Sequence, residues 1–450
     1  MTEENNKKQF EKNDFSRFLI IWVGELLSTI GSGLTAFSLG IYAFKLTGQA
    51  TSSTMVTLLT FLPAFLLRPI GGVLADRIDR RLLMIFGNFG SALGIGLVFL
   101  LISPKAQNLW MIYPGITLSS IFFAFQNPAY KASVSDFLPK ELYAKASGLV
   151  QLSGSAQFLL APLIAGFLMS VIDIKYILVI DIMSFVISAV NILWVRSTMK
   201  TDADSIVKST EAHFFKEMAE GFRAVVIDRG ILILILVVSL VLFYIGLLQA
   251  LYGPMLLSFT DARTLGTSQS ICAIGMLLSS LIIGVLGGKK RRVFILSLSL
   301  GLMGIFFSLI GIHESIWAII LPGFLFFFTI PFVNSSIEVL IRQNINNEKQ
   351  GRVWALIGVI TNFGSMIAYA AAGFLADKIF NPLFMPGGAL ADNLGRIFGV
   401  GKGRGIAFIF FVSGIFVVIL AVIIFRSKSI RRLDLNTGSD DGIIYDEVQT

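Results

Sequence analysis

Glu25, Arg68 and Asp181 each interrupt an apolar stretch long enough to cross a hydrocarbon core. An ionisable side chain in such a place costs roughly 2.5–3.5 kcal/mol on insertion scales, so each is a candidate for chemistry. Glu25 stands about eight residues, or ~12 Å of helix rise, inside its stretch. Arg68 stands about as far from the end of the next. Adjacent antiparallel helices bring the two to similar depth, where a carboxylate and a guanidinium pair. Two chemistries fit that arrangement. In one, Glu25 takes up and releases a proton in alternation with another ligand while Arg68 tunes it. In the other, the two form a permanently charged structural pair. Asp181 has no cation near it in sequence, and a hydrogen bond to a neighbouring helix and proton transfer both fit it. Glu338 has Arg342 one helical turn later and satisfies itself.

Little else in the chain has catalytic potential. The lone cysteine, Cys272, lies in an apolar run, and the two histidines, His213 and His313, are far apart. This excludes a disulfide framework and predicts no metal site. No His, Cys or paired carboxylates cluster within the apolar runs, which argues against an enzyme. The run Gly399-Val400-Gly401-Lys402-Gly403-Arg404-Gly405 resembles a phosphate loop only in its glycines, because the Gly-x4-Gly-Lys-Ser/Thr spacing is missing. Together with Gly387-Gly388 it reads as a partly inserted hairpin or ordered cap. No cofactor is expected.

The elements that hold these residues follow from composition. Of 450 residues, 55% are hydrophobic and only 14% charged, with a mean hydropathy of +0.80. A soluble chain needs more charge to cover its surface. Twelve apolar spans are predicted at 17–44, 52–75, 82–102, 109–129, 147–170, 174–195, 230–259, 267–288, 293–312, 315–341, 353–376 and 406–426. The fold class is therefore an all-α membrane protein. A polar tail, 1–16, precedes a six-helix bundle, 17–195. A charged linker, 196–229, carries an amphipathic helix expected on the membrane surface, with Phe214, Met218, Phe222 and Val225 on its apolar face. A second six-helix bundle, 230–426, precedes a polar tail, 427–450, that reads as disordered.

The net charge of +8 does not signify nucleic acid, because the basic residues punctuate the gaps between apolar runs and share no face. Lys and Arg crowd the even-numbered gaps and both tails, which places both termini in the cytoplasm. The start is polar, without the short apolar core of a cleavable signal.

The halves repeat one another. Placing Asn127 on Asn334, an offset of 207 residues, also sets Glu141 on Glu348 and Lys145 on Arg352. The same offset sets Ala165-Gly166-Phe167-Leu168 on Ala372-Gly373-Phe374-Leu375. Gly72-Val73-Leu74 ahead of Arg80-Arg81 echoes Gly284-Val285-Leu286 ahead of Arg291-Arg292. Two parallel six-helix repeats are thus predicted, with a ligand site near the bilayer midplane. Pro162, Gly166 and Gly373 read as helix-packing positions.

The loop after the second span, Gly71-Gly72-Val73-Leu74-Ala75-Asp76-Arg77-Ile78-Asp79-Arg80-Arg81, resembles the signature of the major facilitator superfamily. The resemblance implies a latch on the cytoplasmic side, formed by Gly72, Asp76, Arg77, Arg80 and Arg81. A fixed topological anchor is the simpler alternative. Asp79 departs from the pattern, which has glycine there. Trp22-Val23-Gly24-Glu25, Phe125-Gln126-Asn127-Pro128-Ala129, Leu138-Pro139-Lys140-Glu141, Asp181-Ile182-Met183-Ser184-Phe185 and Phe215-Lys216-Glu217 are similar to the macrolide-efflux and drug:proton antiporter branch. That resemblance covers nearly the whole chain. It implies a monomeric secondary transporter in a prokaryotic plasma membrane, in contact with membrane lipids, that exports small amphipathic molecules in exchange for protons. An exporter of an endogenous metabolite, siderophore or lysolipid is the alternative within transport, and a membrane scaffold or enzyme the alternative outside it. The phenylalanines at Phe122-Phe123-Phe125 and Phe324 to Phe328 suit an aromatic cavity wall or ordinary packing.

Overall fold

The computed structural model describes residues 2–102, 108–198, 229–286, 291–345 and 347–435. Backbone polar groups inside a bilayer have no water to bond, so each crossing segment satisfies its own as a helix. Among the described residues twelve helices are long and apolar enough to cross, and no strand is present. The first six are α1 (Thr2–Thr47), α2 (Ala50–Arg77), α3 (Arg80–Leu101), α4 (Tyr113–Phe137), α5 (Tyr143–Val171) and α6 (Ile174–Thr198). The second six are α7 (Arg229–Leu257), α8 (Ala262–Leu286), α9 (Arg292–Leu309), α10 (Ile316–Asn344), α11 (Asn347–Phe374) and α12 (Arg404–Arg426). The amphipathic helix expected in the linker and the polar end of the C-terminal tail lie outside the described residues.

The chain forms two compact units. One comprises Met1–Glu211, Tyr252–Ser270 and Ala372–Phe374; the other comprises Ala212–Leu251, Ile271–Ala371 and Leu375–Thr450. Two short segments from later in the chain, Tyr252–Ser270 and Ala372–Phe374, join the first unit. Glycines explain why they do. A Cβ on Gly266 would lie 2.2 Å from the Pro162 carbonyl oxygen, and one on Gly373 would lie 2.4 Å from Thr51 Cα. The expected packing positions Pro162, Gly166 and Gly373 are therefore points of backbone contact within that unit.

Lipid tails are as apolar as leucine, so helices in a membrane associate through close packing more than through burial from water. In the first unit Gly71 brings α2 against α4, where an added Cβ would stand 2.2 Å from the Ala124 carbonyl oxygen. Gly72, its neighbour in the signature, faces open space. In the second unit Gly304 on α9 and Gly414 on α12 meet, each within 2.6 Å of the other's carbonyl oxygen if a Cβ is added. Phe307, Phe326 and Phe410 pack as a buried aromatic trio beside them, with ring centroids 5.2 Å apart for each pair that includes Phe307. The packing reading thus accounts for Phe326. Large apolar side chains on the outer faces, Leu100 and Val285 among them, remain exposed, as a lipid-facing surface requires.

The internal repeat has a structural counterpart beyond the expected echoes. Trp110 and Trp317 are separated by the same 207 positions, and they are 77% and 72% exposed at the starts of corresponding helices. Tryptophans so placed are interfacial anchors.

The glycine-rich loop before α12 is ordered. A π-helical turn, Leu375–Phe380, extends α11, so the crossing segment runs to Phe384 rather than ending near 376. Short helices Asn381–Phe384 and Gly395–Phe398 follow. Gly399, Gly401 and Gly403 have φ of +87°, +130° and +82°, a region that side chains with a Cβ disfavour. This conformational demand explains the glycines. Arg404 is fully buried beneath the loop. Its Nε lies 3.1 Å from Glu314 Oε1, and its Nη1 donates to the carbonyls of Gly311 and Phe398. Phe384, Phe398, Phe408 and Phe411 pack against one another, edge to face and tilted.

Gly414→Ala is expected to destabilise the second unit by about 1–3 kcal/mol, the range for overpacking a tight contact. Thermal unfolding of the purified protein in detergent would reveal it, and an unchanged midpoint would mean that α9 and α12 are not held at this distance.

Candidate functional site

Glu25 sits at a junction of four helices and is 4% exposed. Gly24 beside it allows α1 to approach α6, where an added Cβ would meet Asn191 Nδ2 and Ser188 Cα at 3.0 Å. That proximity delivers the Ser188 hydroxyl, which donates to Glu25 Oε1 at 2.8 Å. From α4, Gln126 Nε2 donates to Glu25 Oε2. From α3, the Asn88 carboxamide lies against the same carboxyl, while its Nδ2 donates to Ser188 Oγ at 2.9 Å. One carboxyl thereby joins α1, α3, α4 and α6.

All three partners are neutral, which corrects the pairing expected from sequence. Arg68 lies on an exposed face of α2 and makes no ion pair with Glu25 among the described residues. Similar depth on adjacent helices did not suffice, because Gln126, Asn88 and Ser188 occupy the directions from which a cation would come. The chemistry of the partners then becomes informative. An ionised carboxylate only accepts hydrogen bonds, whereas a carboxylic acid also donates one. Asn88 Oδ1 is buried and accepts no hydrogen bond among the described residues. The Ser188 hydroxyl can donate or accept, so the pocket has a partner for either charge state. Tyr130, the ionisable neighbour on α4, also has its hydroxyl buried and unbonded.

Asp181 lies on the same α1–α6 seam and is 1% exposed. Ser32 on α1 and Ser184 on its own helix direct hydroxyls at Oδ1, from 3.5 and 3.4 Å. The hydrogen bond to a neighbouring helix that its position suggested is therefore present.

The signature loop forms a second polar cluster at the end of α2. Asp79 stands where the family pattern has glycine, yet its φ of −50° needs none. Its side chain caps α3 by accepting from the Arg81 N–H at 2.9 Å, and Arg196 on α6 approaches it to 3.5 Å. Arg80 is the centre. It donates to Asp136 Oδ1 at 2.7 Å, to the Ala132 carbonyl at 2.8 Å and to Ser135 at 3.2 Å. Asp76 stands farther off, at 3.8 Å. Arg81 lies over the Phe137 ring. Asp76 and Arg77 are exposed. Of the five latch residues, the structure gathers Arg80 and Arg81 into contacts with α4 and leaves Gly72 and Arg77 at the periphery.

Beside this cluster a cavity of about 400 Å³ opens between α4 and α5, with Lys131, Ser135, Tyr143, Ser147, Val150 and Gln151 on its walls. Its lining is mixed in polarity.

Sequence reasoning did not single out Asn88, Ser188, Asp136 or Arg196, and it met Gln126 only as part of the Phe125–Ala129 motif. Each is a polar residue within or at the end of a long apolar helix, and that placement is the only signal one sequence offers.

The profile of the Major Facilitator Superfamily matches residues 21–369. The chain belongs to the Major Facilitator Superfamily. It is 26% identical over 423 residues to Macrolide efflux protein A of Streptococcus pyogenes, covering 93% of this chain and 98% of that one. It is 27% identical over 316 residues to the protein of the same name from Enterococcus faecalis, covering 69% and 97%. Among solved structures, the nucleoside transporter NupG matches with a TM-score of 0.68 at 12% identity, over 92% of this chain and all of that one. That likeness establishes the fold. The protein is accordingly a multi-pass membrane transporter of the major facilitator type, not an enzyme.

Arg80→Gln is expected to lower stability by about 1–2 kcal/mol, since hydrogen bonds to charged groups contribute about 1.5–3 kcal/mol and this one is partly solvated. Asp136→Asn should cost less than that, and the double variant should fall short of the sum. Strict additivity in thermal unfolding would show that the pair is not coupled.

Proposed function

We propose that this major facilitator transporter exports amphipathic small molecules, macrolide-like drugs among them, and that proton entry drives the export through Glu25. The carrying observation is the Glu25 junction: a buried carboxyl met only by neutral hydrogen-bond partners among the described residues, one of which, the Ser188 hydroxyl, can donate or accept. A transporter driven by protons needs such a group, because the proton must bind and leave within each cycle without a fixed cation holding the site ionised. The similarity to two macrolide efflux proteins, over 93% and 69% of this chain, supports the substrate class. The mixed lining of the cavity beside α4 and α5 suits a molecule with polar and apolar faces.

The distribution of Lys and Arg supports a prokaryotic plasma-membrane location with both termini cytoplasmic. On that orientation the Arg80 cluster lies on the cytoplasmic side, and Asp76, Arg77, Arg80 and Arg81 act as a latch that Arg80 anchors to α4. Membrane lipids are the expected surroundings, and a monomer is sufficient.

In pump-deficient cells the protein should lower accumulation of erythromycin and ethidium, and a protonophore should reverse the effect. Glu25→Gln keeps the shape of the side chain and removes its titration; at normal expression it should reduce export at least tenfold. Unimpaired export by that variant would remove Glu25 from the mechanism. Wild-type protein in the membrane that spares both compounds would point instead to an endogenous metabolite, siderophore or lysolipid.

A further inference from the structure

The Glu25 reading leaves one buried carboxyl in the first unit without a role. Asp181 is more buried than Glu25, and no Lys, Arg or His among the described residues pairs with it. The groups that face it are the hydroxyls of Ser32 and Thr35 from α1 and of Ser184 from its own helix. Gly31 keeps the site tight: an added Cβ would stand 2.8 Å from Asp181 Oδ1 and 2.5 Å from Ser184 Oγ. No side chain large enough to bring in a charge fits between the two helices there.

As at Glu25, the partners of this carboxyl are neutral. Both hydroxyls that bond Asp181 converge on Oδ1. Asp181 Oδ2 is buried and takes no hydrogen bond from Ser32 or Ser184, and the Thr35 hydroxyl faces the same carboxyl from α1. A buried polar atom left unpaired is destabilising. A hydroxyl donates to an ionised carboxylate and accepts from a carboxylic acid, so the site can hold Asp181 in either charge state. At Glu25 the corresponding hydroxyl is that of Ser188. Each carboxyl thus meets a hydroxyl from a neighbouring helix that can serve either state.

We infer that Asp181 is a second proton-binding site of the transporter, so that the first unit takes up two protons where the Glu25 mechanism alone needs one. The inference rests on Glu25 as the first site. Its consequence is electrical. Exchange of one proton for a monovalent cation moves no net charge, whereas exchange of two carries one positive charge inward with each cycle. The membrane potential then drives export even without a pH difference. Each 100 mV would raise the limiting gradient of a monovalent cation about 50-fold.

The test is difference infrared spectroscopy of the full-length protein in lipid nanodiscs between pH 9 and pH 5, with no substrate present. Two carboxylic-acid C=O bands are expected, one lost in Glu25→Gln and the other in Asp181→Asn. Thr35→Val should shift the Asp181 band and spare the other, which a merely structural Asp181 would not show. If Asp181→Asn does not fold, Asp181→Glu serves in its place by moving that band. A wild-type spectrum without an Asp181-dependent band overturns the inference, while a missing Glu25-dependent band overturns the reading beneath it. In proteoliposomes, a valinomycin-imposed potassium potential at equal pH should drive ethidium export by the wild type but not by Asp181→Asn. A wild type that exports ethidium under a pH difference and ignores the potential would also overturn it.

Discussion

A carboxyl group held among helices in an apolar medium must have every oxygen accounted for, and the first unit is arranged around meeting that demand at Glu25. Water is not available to complete the shell, so the partners come from other helices: Gln126 from α4, Ser188 from α6 and Asn88 from α3. Reaching one carboxyl from three directions fixes the rotation of each helix about its axis. It also fixes how near their backbones come, because serine and asparagine are short. Gly24 and Gly31 on α1 follow from the same requirement, since a methyl group at either would push α6 away.

The remaining packing extends this logic with less polar means. Gly71 seats α2 on α4, and Gly304 and Gly414 seat α9 on α12. Where lipid provides little net drive for burial, contact distance decides the energy, and glycine gives the shortest. The ordered loop before α12 shows the same economy in another form. A single guanidinium, Arg404, is fully enclosed, donates to loop carbonyls and pairs with Glu314.

The signature loop illustrates how a departure from a family pattern can be accommodated. With aspartate in place of glycine at position 79, the turn loses access to left-handed backbone geometry but does not use it. The aspartate caps α3 and meets Arg196 on α6. The cluster is thereby tied to two further helices, and the strongest contact of the motif passes to Arg80 and Asp136.

The sequence by itself determined the class, the number of crossings, the duplication and the family, because these depend on apolar run length, on charge placed in gaps and on a contiguous motif. It also determined which carboxyls are exceptional, since an acid inside an apolar run is visible without a fold. Only the tertiary structure decided what those carboxyls meet. Glu25 and Arg68 satisfied every rule of depth and adjacency, yet the carboxyl turns to Gln126, Ser188 and Asn88. Helix rotation, set by backbone contact at glycines, governs which faces converge, and rotation leaves no trace in hydropathy. The same holds for Gly71 over Gly72 and for Arg404, whose burial depends on three glycines with positive φ folding a loop across it.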